Sequence, residues 1–396
     1  MMVGPFSISR LPRIEFGSGA FAKVPGLCAA LGRRVLVVTG GHSLEAAGHW
    51  QRLVEGLAQA KLSWERLKVA GEPSPQLVDE AVAAFRDASI DVVLGIGGGS
   101  VLDAAKAIAG LLKPGNSVLD HLEGVGPEKP YVGPATPFIA VPTTAGTGSE
   151  ATKNAVLSVR GEQGYKKSFR DEKLVAEYAV VDPDLLASCP PELIAANGMD
   201  ALTQLLESFV STRANAFTDA LAVSGLTAAR DGLLQWYEGG PRAAEGRAKM
   251  AYAALISGIT LAQAGLGSVH GLASPLGAFF PIPHGVVCGI LVAEATRANI
   301  DIMEERDPDN PALIKYAQAG RLFRNKTHLE PVGARVFLVH RLTELTRALN
   351  LPRLSAYGVG EADIPRIVAH CRGSSMKTNP VVLTDGEVAQ ILHRCL

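Results

Sequence analysis

Between residues 34 and 142 the chain alternates short, β-branched apolar runs with amphipathic stretches, and this alternation limits its fold more than any other feature. Residues 34–41 (RVLVVTGG) read as a strand ending in glycines, and 42–60 carry Leu44, Ala47, Trp50, Leu53 and Leu57 at helical spacing. Residues 62–69 alternate as a strand. After the breaker at 71–75 (GEPSP), 78–88 is helical and 92–96 (VVLGI) is a wholly apolar strand. Helical periodicity resumes over 101–112, and 138–142 (FIAVP) is another buried strand. This order implies right-handed βαβ units and a parallel sheet covered on both faces. A further strand pair is expected at 154–159 and 178–181. From about Pro190 strand-like runs almost vanish, and 191–210, 217–235, 241–264, 287–300 and 310–323 suit long helices. The expected architecture is an α/β domain over 1–186 followed by an all-α domain over 187–396.

Composition narrows the function. Apolar residues make up 47% and charged residues 19%, enough apolar surface for a large core and against disorder. With 38 Lys+Arg against 39 Asp+Glu, the formal charge of −1 argues against a nucleic-acid partner. Cys28, Cys189, Cys288, Cys371 and Cys395 form no C-x-x-C pair, which fits free thiols in a reducing compartment. No apolar h-region follows basic residues at the N-terminus, and no apolar run reaches membrane-spanning length. The expectation is a soluble, cytoplasmic protein without a membrane partner.

The strongest chemical signal is 95–106 (GIGGGSVLDAAK), where a buried strand runs into Gly97, Gly98, Gly99 and Ser100 and then into a helix. Glycines let backbone approach a phosphate, and the first N–H groups of a helix stabilise the anion. The fingerprint G-x-G-x-x-G would need Gly at 100, so this is a variant phosphate loop. Three consecutive glycines exceed what a tight turn needs. A second loop, 142–152 (PTTAGTGSEAT), also follows an apolar strand and offers glycines and hydroxyls to the same ligand. In the helical half, Asp200 and Gln204 share one helix face at i and i+4, and His270 and His284 sit downstream among small residues. Spacing alone leaves a structural role open for each of the four; as a group they read as a divalent-metal site.

These stretches resemble the iron-containing (group III) alcohol dehydrogenase family, which has a dehydroquinate synthase-like fold. The likeness runs from 16–20 (FGSGA), through 97–106 and 142–150, to 181–183 (VDP), 198–203 (GMDALT), 270–285 (HGLASPLGAFFPIPHG) and 378–380 (TNP). It implies an N-terminal nucleotide-binding domain, a helical metal and substrate domain, and an active site in the cleft between them. It also implies a homodimer and reversible hydride transfer between NAD(P)H and a small alcohol or aldehyde. By the same resemblance Gly97, Gly98, Gly99, Ser100 and Asp103 would hold the cofactor diphosphate and its surroundings. Thr143, Thr144, Thr147 and Ser149 would line the path from adenine ribose to nicotinamide, and Lys166, with Lys167 as its neighbour, would lie near the cofactor. Asp200, His270 and His284 would be both catalytic and metal-binding.

The chain departs from the family pattern at two histidines. The D-A-L-T-H motif ends here in Gln204, whose amide is a poorer ligand than imidazole, and Ser274 stands where a histidine is usual. The expected site is Fe²⁺ or Zn²⁺ on Asp200, His270 and His284, with Gln204 or a water as fourth ligand. The alternatives are a metal-independent or catalytically lapsed nucleotide-binding protein and, further off, a lyase of dehydroquinate synthase type. Cofactor choice has one clue: Gly40 stands after the first strand of the alternating region, where NAD-using relatives often carry an Asp. With no carboxylate there to oppose a 2′-phosphate, NADP is permitted.

Overall fold

The computed structural model describes residues 4–325 and 328–396, which form two compact units. The first comprises residues 9–159 and 164–189. Its strands are β1 (Arg13–Phe16), β2 (Arg34–Thr39), β3 (Ser63–Lys68), β4 (Val92–Gly97), β5 (Phe138–Pro142), β6 (Asn154–Val159), β7 (Tyr165–Arg170) and β8 (Tyr178–Val181). Six of them make one sheet in the order β1-β8-β5-β4-β2-β3, and every pairing in it is parallel. β4 and β5 are buried along their whole length, which is why their sequences run apolar without alternation. The chain steps outward from β2 to β3, then returns to place β4 on the other side of β2. That reversal puts a switch point between β2 and β4, and ligands of open α/β sheets bind beyond the strand ends at such points.

Three local expectations needed correcting. β6 and β8 do not pair: β6 forms an antiparallel ribbon with β7, Ser158 opposite Lys166, and β8 joins the large sheet. The 42–60 stretch is two helices, Ser43–Ala46 and His49–Gln59, interrupted at Gly48, where φ is +72°. Strands β1 and β7 were not anticipated, because RIEF and YKKSFR are polar and mostly unburied.

The second unit comprises residues 4–8, 160–163 and 190–396. Its central helix, Pro191–Val210, is buried on nearly every side and packs on Ala216–Tyr237, Ala243–Ala264 and His284–Arg306. Helices Ser268–Phe279, Pro311–Arg324, Pro331–Ala348, Ile364–His370 and Asp385–Cys395 complete the unit. Among the described residues, no single helix is long and apolar enough to cross a membrane.

Candidate active site

In the α/β unit, β4 passes through Gly98 into the helix Gly99–Leu111, and β5 passes into the loop at 143–149. The two loops are bound edge to edge, with Thr143 N–H donating to the Gly97 carbonyl at 2.9 Å. A Cβ on Gly99 would stand 2.6 Å from the Thr147 methyl carbon, and one on Gly98 3.3 Å from Thr144. These glycines therefore let the hydroxyl-rich loop close over the helix start, bringing Gly97, Gly98, Gly99, Thr143, Thr144 and Thr147 together. Around the first helical turn, N–H groups lack an intrahelical acceptor and suit an anion.

Asp103 and Ser149 are bonded to each other, Ser149 Oγ donating to Asp103 Oδ1 at 2.5 Å. They are held by Lys106, a residue that reading the motif as a phosphate loop missed. Lys106 is fully buried and its Nζ donates to the carbonyls of Ser149 and Asn154 at 2.7 and 2.8 Å and to the hydroxyls of Ser149 and Thr152 at 3.1 and 2.9 Å. Burial lowers this ammonium to about 8, with Asp103 and Glu150 pulling the other way. The neighbouring Glu150 is also buried, and desolvation raises its carboxyl to about 7. Of the two adjacent lysines on β7, Lys166 is the one whose charge reaches Asp103, and its ammonium pairs with Glu72 at 2.8 Å. Lys167 points at Gly124. Gly40, after β2, has only Val101 within contact of an added Cβ, and Gly41 has nothing. Arg66 bonds Thr39 at the end of β2, and Arg66 and Lys68 both bond Glu45.

In the helical unit, four helical turns of chemistry meet at one point. Asp200 comes from the central helix, His270 from Ser268–Phe279, and His284 and Cys288 from successive turns of His284–Arg306. Their donor atoms all lie within 4.8 Å of one another. Asp200 Oδ1 is 3.2 Å from His270 Nε2 and 3.8 Å from His284 Nε2. Burial works against the Asp200 carboxylate, yet His284, His270 and the Gln204 amide hold it below its ordinary range. His270 is likewise held above its usual range: burial opposes the charge, but Cys288, Asp200 and Glu207 outweigh it. Burial raises the Cys288 thiol to about 11.

Two features of the local sequence make this convergence possible. A Cβ on Gly285 would fall 2.2 Å from the Ala196 carbonyl oxygen, so only glycine lets the two ligand-bearing helices cross this closely, one turn from Asp200. The helix Ser268–Phe279 has no capping side chain of its own, and remote residues supply it: Asn379 accepts from Ser268 N–H at 3.0 Å and Glu207 from Val269 N–H at 2.7 Å. The second oxygen of Glu207 lies 2.6 Å from His270 Nδ1. That contact fixes the ring so that Nε2 faces the cluster, the usual role of an outer carboxylate beside a ligating histidine. Glu207 continues the Asp200, Gln204 face by one turn (i, i+4, i+7), a signal the sequence carried.

Gln204, expected as a fourth ligand, has another part. Its amide nitrogen donates to Asp200 Oδ1 at 2.9 Å, while its oxygen accepts from Ser257 Oγ at 2.7 Å. The oxygen that would ligate a cation is turned away from the cluster. A buried carboxylate oxygen and two imidazole nitrogens, with no Lys or Arg among the described residues bonded to Asp200, nevertheless suit a divalent ion.

Fold and cluster define a dinucleotide-type α/β unit joined in one chain to a helical unit with a carboxylate–imidazole centre. Residues 12–183 match the family described as iron-containing alcohol dehydrogenase, and 194–396 match the C-terminal part of the same family. The chain belongs to the iron-containing alcohol dehydrogenase family. It is 30% identical to lactaldehyde reductase of Escherichia coli strain K12 over 388 residues, 96% of each chain. It is 29% identical to the NAD-dependent methanol dehydrogenase of Bacillus methanolicus, covering 97% of this chain and 98% of that one. Among solved structures it is similar to a 1,3-propanediol oxidoreductase, with a TM-score of 0.88 and 28% identity over 99% of this chain and all of that one.

Proposed function

We propose that this chain is an NAD(P)-dependent alcohol/aldehyde oxidoreductase that moves hydride reversibly between nicotinamide and a small alcohol or carbonyl, assisted by a divalent metal, Fe²⁺ or Zn²⁺. The observation that carries the reading is the convergence of Asp200, His270 and His284 on one point, in a chain that also carries the paired glycine and threonine loops. Gly97, Gly98, Gly99 and Ser100 would take the diphosphate, with Thr143, Thr144 and Thr147 along the rest of the dinucleotide. Asp103, Ser149 and Lys166 serve this surface by holding its loop and its charge. Bound at the cluster, the cation supplies Lewis-acid polarisation of the substrate oxygen. Glu207 then keeps His270 in the ligating tautomer, and Gln204 steadies Asp200 through its amide nitrogen. Gly40 and the open space at Gly41 permit NADP, with Arg66 and Lys68 as the nearby cations. We also propose that the enzyme works as a homodimer in a reducing cytosol, in keeping with its five free thiols.

The test is a difference titration with NADH and NADPH, followed by turnover of short aldehydes with Fe²⁺ or Zn²⁺ supplied. Dinucleotide binding with metal-dependent turnover is expected. Tight dinucleotide binding with no turnover under any ion would favour the catalytically lapsed reading instead.

A further inference from the structure

We infer that Cys288 is a ligand of the metal, its thiolate taking the place that the family's imidazole leaves empty at Gln204. The ion would then be held by one carboxylate oxygen, two imidazole nitrogens and one sulfur, with the substrate oxygen joining as a fifth donor. The inference rests on the metal-assisted reading above and specifies its donor set.

Three observations meet on this residue. First, its sulfur is placed as a ligand is. Cys288 Sγ lies 3.7 Å from His270 Nε2 and 3.9 Å from His284 Nε2, completing the group of four whose donor atoms lie within 4.8 Å. A tetrahedral site with metal–nitrogen bonds near 2.0–2.1 Å and a metal–sulfur bond near 2.3 Å places its donors about 3.3–3.6 Å apart. The edges from Asp200 and from Cys288 to the two imidazoles, 3.2–3.9 Å, are close to that length before any contraction around an ion. Second, the expected fourth donor is turned away: the Gln204 oxygen is engaged by Ser257. Third, the direction of the thiol is unusual in this chain. Cys189, Cys371 and Cys395 point their sulfurs at the backbone carbonyls of Thr143, Val368 and Ile290, as weak thiol donors do. Cys288, fully buried, points instead at two imidazole nitrogens.

Ligation is a simple exchange: the S–H bond breaks, a sulfur–metal bond forms, and the proton leaves to solvent, with no change of oxidation state. A thiolate softens the donor set, so the site favours Zn²⁺ over Fe²⁺ or Mn²⁺.

The experiment uses the full-length protein, stripped by chelation and reloaded with Zn²⁺ or Co²⁺. X-ray absorption at the zinc edge of the unaltered protein should show one sulfur scatterer at about 2.3 Å among lighter donors. The Co²⁺ form should show a near-ultraviolet sulfur-to-cobalt charge-transfer band that disappears in Cys288→Ser while the visible bands of bound cobalt persist. Zinc affinity of Cys288→Ser should fall by about a hundredfold or more, beyond the roughly 10–100-fold cost of losing an outer partner. Stoichiometric ion with only nitrogen and oxygen neighbours overturns the Cys288 assignment and leaves the metal reading standing. Failure to take up any ion overturns both. Because the absorption measurement needs no variant, the assignment stays open to refutation even if Cys288→Ser does not fold.

Discussion

Each compact unit buries a charged cluster, and the two clusters are built on opposite plans. In the α/β unit, Lys106 is surrounded by oxygens, giving hydrogen bonds to Ser149, Thr152 and Asn154 and facing Asp103 at 3.8 Å. Its donors are all used, and the cluster is closed. In the helical unit, Asp200, His270, His284 and Cys288 present donor atoms to a shared centre, while the charge of Asp200 is met by imidazoles and an amide. A buried cation whose partners come from its own chain fastens a loop. A buried carboxylate, two imidazoles and a thiol that converge on one point suit a cation from outside. Burial is common to both, and only the direction of the donors separates a clasp from a binding site.

Breaking the open cluster should cost most. Asp200→Asn keeps the shape of the side chain and removes the charge. It is expected to lose stoichiometric metal and to lower kcat/KM by about a thousandfold or more, the several kcal/mol a Lewis acid contributes. Near-normal metal content with near-normal turnover would refute the role assigned to Asp200.

Breaking the closed cluster should act on stability instead. Lys106→Met strands the carboxylate of Asp103 and the carbonyls of Ser149 and Asn154, at a cost of about 3–5 kcal/mol. Denaturant unfolding followed by dinucleotide release measures it, and the metal content of the folded fraction should not change.

The closed cluster also has a pH signature. Burial raises the Glu150 carboxyl to about 7 from the 4.5 of an unburied carboxyl, so the folded state binds the proton more tightly than the unfolded one. Its contribution is fully present below about 4.5 and is lost as pH rises through about 7, on the order of 3 kcal/mol in all. Glu150→Gln should flatten stability across that window. An unchanged slope would mean that the carboxyl titrates normally.

The mildest test sharpens the open cluster. Glu207→Gln retains a partner for His270 but removes the charge behind it, and should weaken metal binding by roughly 10–100-fold with little loss of fold. Isothermal titration with Zn²⁺ reads this, and an affinity within twofold of the parent would reduce Glu207 to a helix cap.

Much of this was legible in the sequence. Strands buried on both faces announce themselves by unbroken apolar runs, and the loops following β4 and β5 by their glycines and hydroxyls, so the sheet centre and the two loops at its strand ends are legible directly. Asp200, His270 and His284 read as a group from the sequence before the family resemblance gave them a role, and the structure brings them to one point. The parts that escaped depend on partners distant in sequence. The helix Ser268–Phe279 holds Pro275 and no cap of its own, so no local rule announces it; Asn379 and Glu207 start it from far along the chain. Lys106 sits inside a recognised motif, yet its charge concealed that its helix is buried on every side, from Ala104 through Leu111. Cys288 follows His284 by one helical turn, and only the fold brings that turn to His270. The direction of the Gln204 amide was beyond any sequence rule, because Ser257 on another helix sets it.

The crossing at Gly285 gives the open cluster an asymmetric future under mutation. Glycine is already the smallest residue, so any replacement at 285 can only wedge the helix His284–Arg306 away from Ala196, one turn from Asp200. Overpacking of this kind costs typically about 1–3 kcal/mol and separates His284 from Asp200. Drift at this position therefore runs one way, toward a wider and weaker centre. Any lineage that needs a tighter one must change the donor atoms rather than the spacing between helices, and a thiol at 288 serving in place of an imidazole at 204, as inferred above, would be a change of that kind.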